Sequence, residues 1–237
     1  MIHIVTAQNR SLYDDAFAQV AARVGADPLR ALGLETDETT AHVLGLDTNG
    51  APEFLARLRP AEDRSLLADH LPDLFANGAD QVRRPGVWER LRVFAAPYLA
   101  TPEEGARRRL TELALAVLEE AHARGAERLV QLTQAHLLAA LWLSGPNVRI
   151  LGLPQPVGGV STTAVEVECT AEVIADYRER NALSPSRRLH LKSGEAAWAA
   201  DPKEIEAFLE AARRLPPESL RTLLSVLRAA LADEDES

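Results

Sequence analysis

Two residues of opposite charge stand close together in the segment 87–95, whose alternating apolar residues predict a strand. They are Glu89 and Arg92. A partly buried carboxylate can take a proton from an amine, and the planar guanidinium of arginine binds carboxylates. Taken alone, such a pair is more often a structural ion pair than a catalytic one. Side chains alternate along a strand, so Trp88 faces away from Glu89 and is expected in the core.

The elements around this segment predict a mixed α/β sheet with helices on both faces. A first strand covers 2–6, and a helix follows over 11–22. The segment 25–34 is either a short helix or a loop. A hairpin joins strands at 41–47 and 53–58 through an Asn-Gly turn. The remaining elements are a helix over 66–75, a long helix that stops at Gly125, strands at 128–133, 148–153 and 160–169, and helices at 136–143 and 171–181.

The chain divides into two predicted parts, a main domain over 1–183 and a helical extension over 184–237. Two apolar stripes in the extension flank Pro216 and Pro217, which favours a helical hairpin. Leucine stripes are unfavourable in water, so the hairpin must pack on the main domain or on another subunit, and it offers a surface for a homodimer. An acidic tail ends the chain.

Composition excludes several classes of function. The net charge of −9 argues against general nucleic-acid binding. No apolar run approaches the roughly 18–20 residues that span a bilayer, and the start, residues 1–8, lacks the basic and apolar regions expected of a signal peptide. Cys169 is the single cysteine of the sequence, so no intramolecular disulfide is expected, which fits the cytoplasm. The histidines show no metal-ligand spacing, so no metal site is expected.

Four stretches of the sequence together resemble one enzyme family. They are the strand pair 41–47 and 55–60, the short helix with Leu71-Pro72-Asp73-Leu74-Phe75, the run Val87-Trp88-Glu89-Arg90-Leu91-Arg92, and the later strands at 125–133 and 151–159. The third is similar to the W-E-x-S-R segment of the acyl-homoserine lactone synthases. The resemblance covers roughly residues 1–180 and implies a GNAT-like acyltransferase fold, a splayed and mostly antiparallel sheet with a central cleft.

The resemblance also implies a reaction and its substrates. In this family the amine of S-adenosylmethionine attacks the thioester of acyl-CoA or of an acyl carrier protein, and lactonisation expels methylthioadenosine. The product serves quorum sensing, and no tightly bound cofactor is expected. By position, Glu89 would help to remove the amine proton, while Arg57 and Arg92 would order the acceptor site. Asp37 matches the first aspartate of the family's acidic pair, and Arg23 would replace an arginine of the acceptor side.

A run of arginines near the start of the long helix is a further candidate site. Arg107 and Arg108 could meet the phosphates of the thioester donor, because arginines and helix amino termini both favour anions. The alternative is a solvated helix face.

The departures from the family lie on the acceptor side. The segment 21–30 has no aromatic residue, although the family carries a phenylalanine and a tryptophan there, and Leu91 replaces a serine. A separate departure concerns the surface that would dock a carrier protein, because the helix 136–143 is nearly all apolar where relatives that use such a protein often have basic residues. Two alternatives therefore stay open: an acyltransferase with another small amine acceptor, and a non-catalytic relative that acts in binding or assembly.

Overall fold

A mixed sheet organises the part of the chain that the structure, a computed structural model, describes, namely residues 1–143 and 147–191. One compact unit comprises Met1–Asp47 and Ala51–Leu191. Within the described residues the sheet has nine strands in the order β6-β8-β5-β4-β3-β2-β1-β9, with β7 paired to β8. In chain order the strands are β1 Ile2–Val5, β2 Ala41–Leu46, β3 Pro52–Pro60, β4 Val87–Ala95, β5 Arg128–Gln134, β6 Val148–Ile150, β7 Gln155–Val157, β8 Val160–Glu168 and β9 Arg188–Leu189.

Only two of the strand pairings in the described sheet are parallel, β1 with β9 and β4 with β5. The fold class predicted from the sequence, a mixed and mostly antiparallel sheet with helices on both faces, is therefore confirmed. The helices are α1 Asp14–Val24, α2 Pro28–Leu32, α3 Leu66–His70, α4 Glu104–Ala123, α5 Leu138–Leu143 and α6 Ala171–Arg180. Among the described residues, none of them is both long and apolar enough to cross a membrane.

The two faces of the sheet carry separate cores. Helix α1 contributes Phe17 and Val20 to the first core, where they pack with Leu55 of β3. Helix α4 contributes Leu113, Val117 and Ala121 to the second core, which also holds Trp88. The prediction that Trp88 belongs to the core, on the opposite face from Glu89, is confirmed.

The strands β4 and β5 separate after a short ladder. They pair over four positions, from Val87 with Arg128 to Arg90 with Gln131. Beyond these pairs β4 continues beside β3 to Ala95, whereas β5 continues beside β8. The sheet therefore opens into a gap, and the backbone of β4 beyond Arg90 has no strand partner on the β5 side.

Several elements differ from the sequence-based expectation. The helix expected over 66–75 ends at His70, because Pro72 disfavours a helical conformation at the residue before it. The uncertain segment 25–34 contains α2, which Asp27 caps by accepting hydrogen bonds from the backbone of the first turn.

Strand β9 lies within the predicted extension 184–237 and pairs with β1. Arg188 of β9 donates to Glu120 of α4 at 2.9 Å, and Ser186 donates its N–H to Glu119 at 3.1 Å. These contacts span about 70 positions of sequence, which is why local patterns did not indicate the strand. The predicted helical hairpin and the acidic tail lie outside the described residues.

Candidate active site

Glu89 is a buried carboxylate held by the start of a neighbouring helix. It lies in β4 opposite Arg59 of β3, and only 3% of its surface is exposed. The hydroxyl of Ser65 donates to Oε2 at 2.7 Å, and the backbone N–H of Leu67 donates to the same oxygen at 2.8 Å. Ser65 also caps α3, since its Oγ accepts from the N–H of Ala68 at 3.1 Å. One serine thus fixes both the helix and the carboxylate.

Burial raises the pKa of Glu89 above its ordinary value. The hydrogen bonds from Leu67 and Ser65 and the charge of Arg57 lower the pKa, but by less than burial raises it. A carboxylate with a raised pKa is a stronger base, and a base is what an ammonium substrate requires before it can act as a nucleophile.

Arg57 is the cation whose charge lowers the pKa of Glu89. It pairs with Leu91 of β4, two residues beyond Glu89, so both side chains project from the same face of the sheet. Its exposed fraction is 3%. The atom Nη2 donates weakly to Thr40 Oγ1 at 3.4 Å, while Nε and Nη1 are buried without any hydrogen bond in the described residues. Two unsatisfied donors on a buried guanidinium suit the binding of an acidic ligand.

Asp37 contacts both Arg57 and Thr40. Its Oδ2 lies 3.8 Å from Nη2 of Arg57, and its Oδ1 accepts the hydroxyl of Thr40 at 2.7 Å. Partial burial raises the pKa of Asp37, but hydrogen bonds from Thr40 and Thr39 outweigh it and bring the value down to about 2. Asp37 is therefore an anion that orients Thr40 and partly balances Arg57.

His42 lies opposite Arg57 in β2 and was not predicted as part of the site. It is fully buried, its Nε2 donates to the carbonyl of Gly33 at 2.9 Å, and its Nδ1 has no partner in the described residues. Burial, with the charge of Arg57 as a smaller contribution, lowers the pKa of His42 to about 3, so the ring is neutral. Ser65 was also missed, although a serine directly before an apolar helix is a recognisable cap signal.

Arg92 is placed apart from Glu89. It lies next to a bulge, because Ala56 pairs with Arg92 and Leu55 with Phe94, which leaves Val93 without an opposite residue. Its side chain is exposed and forms no hydrogen bond or ion pair with the described residues. The structure therefore does not form a Glu89–Arg92 ion pair, the structural alternative considered from sequence.

Arg23 is not brought to Glu89 either. Its Nη1 donates to the carbonyl of Pro52 at 2.7 Å, and its guanidinium lies 5.3 Å from the ring centroid of Phe94. Pro52 begins β3, whereas Glu89 pairs near the other end of that strand, a distance along it of about 23 Å at the usual rise per residue.

Arg107 and Arg108 are exposed on the first turns of α4. Arg108 pairs with Glu112 at 3.5 Å. The next arginine, Arg109, donates to the buried carboxylate of Glu53, and the carbonyl of Glu53 accepts from the residue that follows β4. Helix α4 therefore begins at the end of the sheet where β4 and β5 have separated.

The described residues hold no group of three or more histidine, cysteine or acidic side chains that could bind a metal ion.

A curated relative decides the family. An acyl-homoserine-lactone synthase from Ralstonia nicotianae (strain ATCC BAA-1114 / GMI1000) is 30% identical over 140 residues, which are 58% of this chain and 68% of that protein. The chain belongs to the acyl-homoserine lactone synthases. It is accordingly an acyltransferase by family, as the resemblance implied. No family model matches the chain.

Solved acyl-homoserine lactone synthases share the fold. The CoA-dependent synthase BjaI, in a structure with MTA, has a TM-score of 0.61 and 23% identity over 84% of this chain and 97% of its own. The CoA-dependent synthase MesI has a TM-score of 0.60 and 22% identity over 79% and 98%. TofI in an apo form has a TM-score of 0.54 and 24% identity over 78% and 98%.

Proposed function

We propose that this chain transfers an acyl group from a thioester to the amine of S-adenosylmethionine and that the product closes to an acyl-homoserine lactone. One observation carries the proposal. A buried base, Glu89, and an arginine with unsatisfied donors, Arg57, lie on the same face of two adjacent strands. The BjaI structure that contains SAM and isopentyl-CoA supports the same pair of substrates.

In the first step Glu89 takes a proton from the ammonium group of the acceptor. The amine nitrogen then attacks the carbonyl carbon of the thioester, and the carbon–sulfur bond breaks. The sulfur leaves as a thiolate and takes up the proton that Glu89 held, so the carboxylate is regenerated. The nitrogen releases its second proton to solvent water as the amide forms. The carboxylate of the acceptor faces Arg57, whose unpaired Nε and Nη1 are available as hydrogen-bond donors.

The negative oxygen formed during attack needs hydrogen-bond donors. The backbone of β4 beyond Arg90 lacks a strand partner on the β5 side, and the bulge at Val93 turns it further. These amides supply donors beside the gap in which the thioester would lie. In the second step the acceptor carboxylate attacks the carbon next to the sulfonium, methylthioadenosine leaves, and the charges of carboxylate and sulfonium cancel.

A second candidate is acyl transfer to a different small amine. It is favoured by the position of Arg23, which bonds to Pro52 rather than approaching Glu89, and by the absence of aromatic residues in 21–30. Calorimetric titration with S-adenosylmethionine separates the two candidates. Retained binding of acyl-CoA without any binding of S-adenosylmethionine supports the second.

The decisive experiment compares the chain with its Glu89→Gln variant in a coupled assay for methylthioadenosine and acyl-lactone by mass spectrometry. The glutamine can still accept from Ser65 and Leu67, so the fold is expected to hold. We expect the rate to fall by at least about 100-fold, as for loss of a general base. An unchanged rate, or no acyl-lactone from either protein with common acyl donors supplied, would contradict the proposal.

Three narrower points stay predictions. They are an acyl carrier protein as the donor's carrier, a homodimer through the C-terminal helices, and a cytoplasmic location. A role of the product in quorum sensing is likewise proposed from the family.

A further inference from the structure

A cavity of about 50 Å³ lies beside the last pair of the β4–β5 ladder. Its walls are mostly apolar and come from α4, α5, β5 and β8, through Ala114, Leu118, Leu129, Leu141 and Val167. Three polar side chains also line it, namely Arg90, Gln131 and Tyr177. The cavity is thus an apolar chamber with polar groups on one part of its wall.

Arg90 is a cation without an anionic partner in the described residues. Its Nη1 donates to Oε1 of Gln131 at 2.6 Å, and its Nε is buried without a hydrogen bond. Its guanidinium carbon lies 5.9 Å from the ring centroid of Phe54. Burial, with the charge of Arg92 as a smaller contribution, lowers the pKa of Arg90 to about 10, so the group remains charged at neutral pH.

Three other arginines in or next to the sheet have the anionic partner that Arg90 lacks among the described residues. Arg84, Arg128 and Arg149 all pair with the buried carboxylate of Glu166, at 2.6, 3.4 and 3.0 Å. An unpaired charge in a poorly solvated position is costly, and a bound anion would remove that cost.

The polar groups of the cavity wall favour one kind of ligand. The guanidinium of Arg90 offers only donors. Oε1 of Gln131 already accepts a hydrogen bond from Arg90, so the side chain of Gln131 offers a ligand its amide nitrogen, which is also a donor. The hydroxyl of Tyr177 can donate as well. A carboxylate accepts several hydrogen bonds and donates none, so it matches this set, whereas a methyl group would leave the donors unsatisfied.

We propose that the acyl pocket of this enzyme accepts a short acyl chain that ends in a carboxylate. The inference rests on the proposed acyl transfer, and it names the class of donor, a half-thioester of a dicarboxylic acid. The gap between β4 and β5 begins at the Arg90–Gln131 pair, so a thioester lying in the gap directs its acyl end toward the cavity. A volume of about 50 Å³ leaves room for only a few water-sized groups.

The test compares two CoA thioesters with five-carbon acyl chains, glutaryl-CoA and pentanoyl-CoA, by calorimetry on the full chain. We expect glutaryl-CoA to bind about tenfold more tightly, as for a hydrogen bond to a charged group. Arg90→Met should abolish the preference and keep the affinity for pentanoyl-CoA. Arg180→Met is the matched control, because Arg180 is exposed on α6, three residues after Tyr177, and pairs only with Asp176 among the described residues.

Equal binding of the two thioesters, tighter binding of pentanoyl-CoA, or a preference that survives in Arg90→Met would overturn the inference while the proposed transfer stands. If neither thioester binds, the proposed function fails for CoA donors and the inference falls with it. Should Arg90→Met not fold, Tyr177→Phe removes one donor and keeps the ring. It should then weaken glutaryl-CoA severalfold without affecting pentanoyl-CoA, and an unchanged ratio would again overturn the inference.

Discussion

The hydroxyl of Ser65 donates to Oε2 of Glu89 across 2.7 Å, from the capping position of α3. Because the same oxygen of Ser65 accepts from the first turn of the helix, the position of the candidate base depends on a helix cap. A substitution at Ser65 should therefore change stability and catalysis together.

For Ser65→Ala we expect a loss of about 1–2 kcal/mol in the free energy of unfolding, the usual cost of removing a cap. The hydrogen bond from Ser65 lowers the pKa of Glu89, so its loss raises that pKa further. The acid limb of the pH–rate profile should then move to higher pH. Ser65→Thr keeps the hydroxyl and should keep both the free energy of unfolding and the pH–rate profile. If the acid limb does not move in Ser65→Ala, Ser65 does not influence the pKa of the catalytic base.

Arg57 should act on the acceptor and not on the donor. In Arg57→Met the KM for the acceptor is expected to rise about tenfold or more, because a hydrogen bond to a charged group is lost, while the KM for the thioester stays near its original value. The fold should survive, since Nε and Nη1 of Arg57 are unpaired already. Arg64→Met, which removes an exposed arginine paired with Asp69, is the control. A rise in the thioester KM alone would contradict this role.

Two buried histidines should make the fold sensitive to acid. Burial lowers the pKa of His42 to about 3, and burial with the charge of the amino terminus lowers that of His3 to about 4. Below pH 6.5 the unfolded chain binds protons that the folded chain does not, so stability falls as pH falls from 6.5 toward these values. The steepest slope is about 1.4 kcal/mol per pH unit for each group.

Urea denaturation at several pH values between 4 and 8 measures this dependence. His42→Asn removes one titrating group, so the slope of unfolding free energy against pH should become shallower. A slope identical to that of the unmodified chain would show that His42 does not cause the pH dependence of stability.

The exposed pair at the start of α4 gives a prediction about the donor. If Arg107 and Arg108 meet its phosphates, the double variant Arg107→Met, Arg108→Met raises the KM for acyl-CoA severalfold. It leaves the KM for an acyl-pantetheine that lacks phosphates unchanged. Equal effects on both donors would instead indicate a general change in the cleft. Arg109 serves a different purpose, since it neutralises the buried Glu53.

The sequence predicted the elements of the site better than their contacts. The strand at 87–95 has the predicted bounds, and the alternation of its side chains correctly assigned Trp88 to the core. The link between Glu89 and Ser65 depends on how the segment between them, which spans 24 positions and includes α3, returns to the strand, and no local period encodes this. The bulge at Val93 and the isolation of Arg92 likewise arise from pairing with β3.

The short β4–β5 ladder has a consequence for the cohesion of the protein. Four residue pairs join the β9–β1–β2–β3–β4 half of the sheet to the half that contains β5 and β8. Helix α4 and the two cores cover this seam, but its hydrogen bonds are few. A thioester bound in the gap would add bonds to both strands. Amide hydrogen exchange in β5 and β8 should then slow when the thioester binds. Without the thioester the two halves of the sheet should unfold separately, and with it bound they should unfold together.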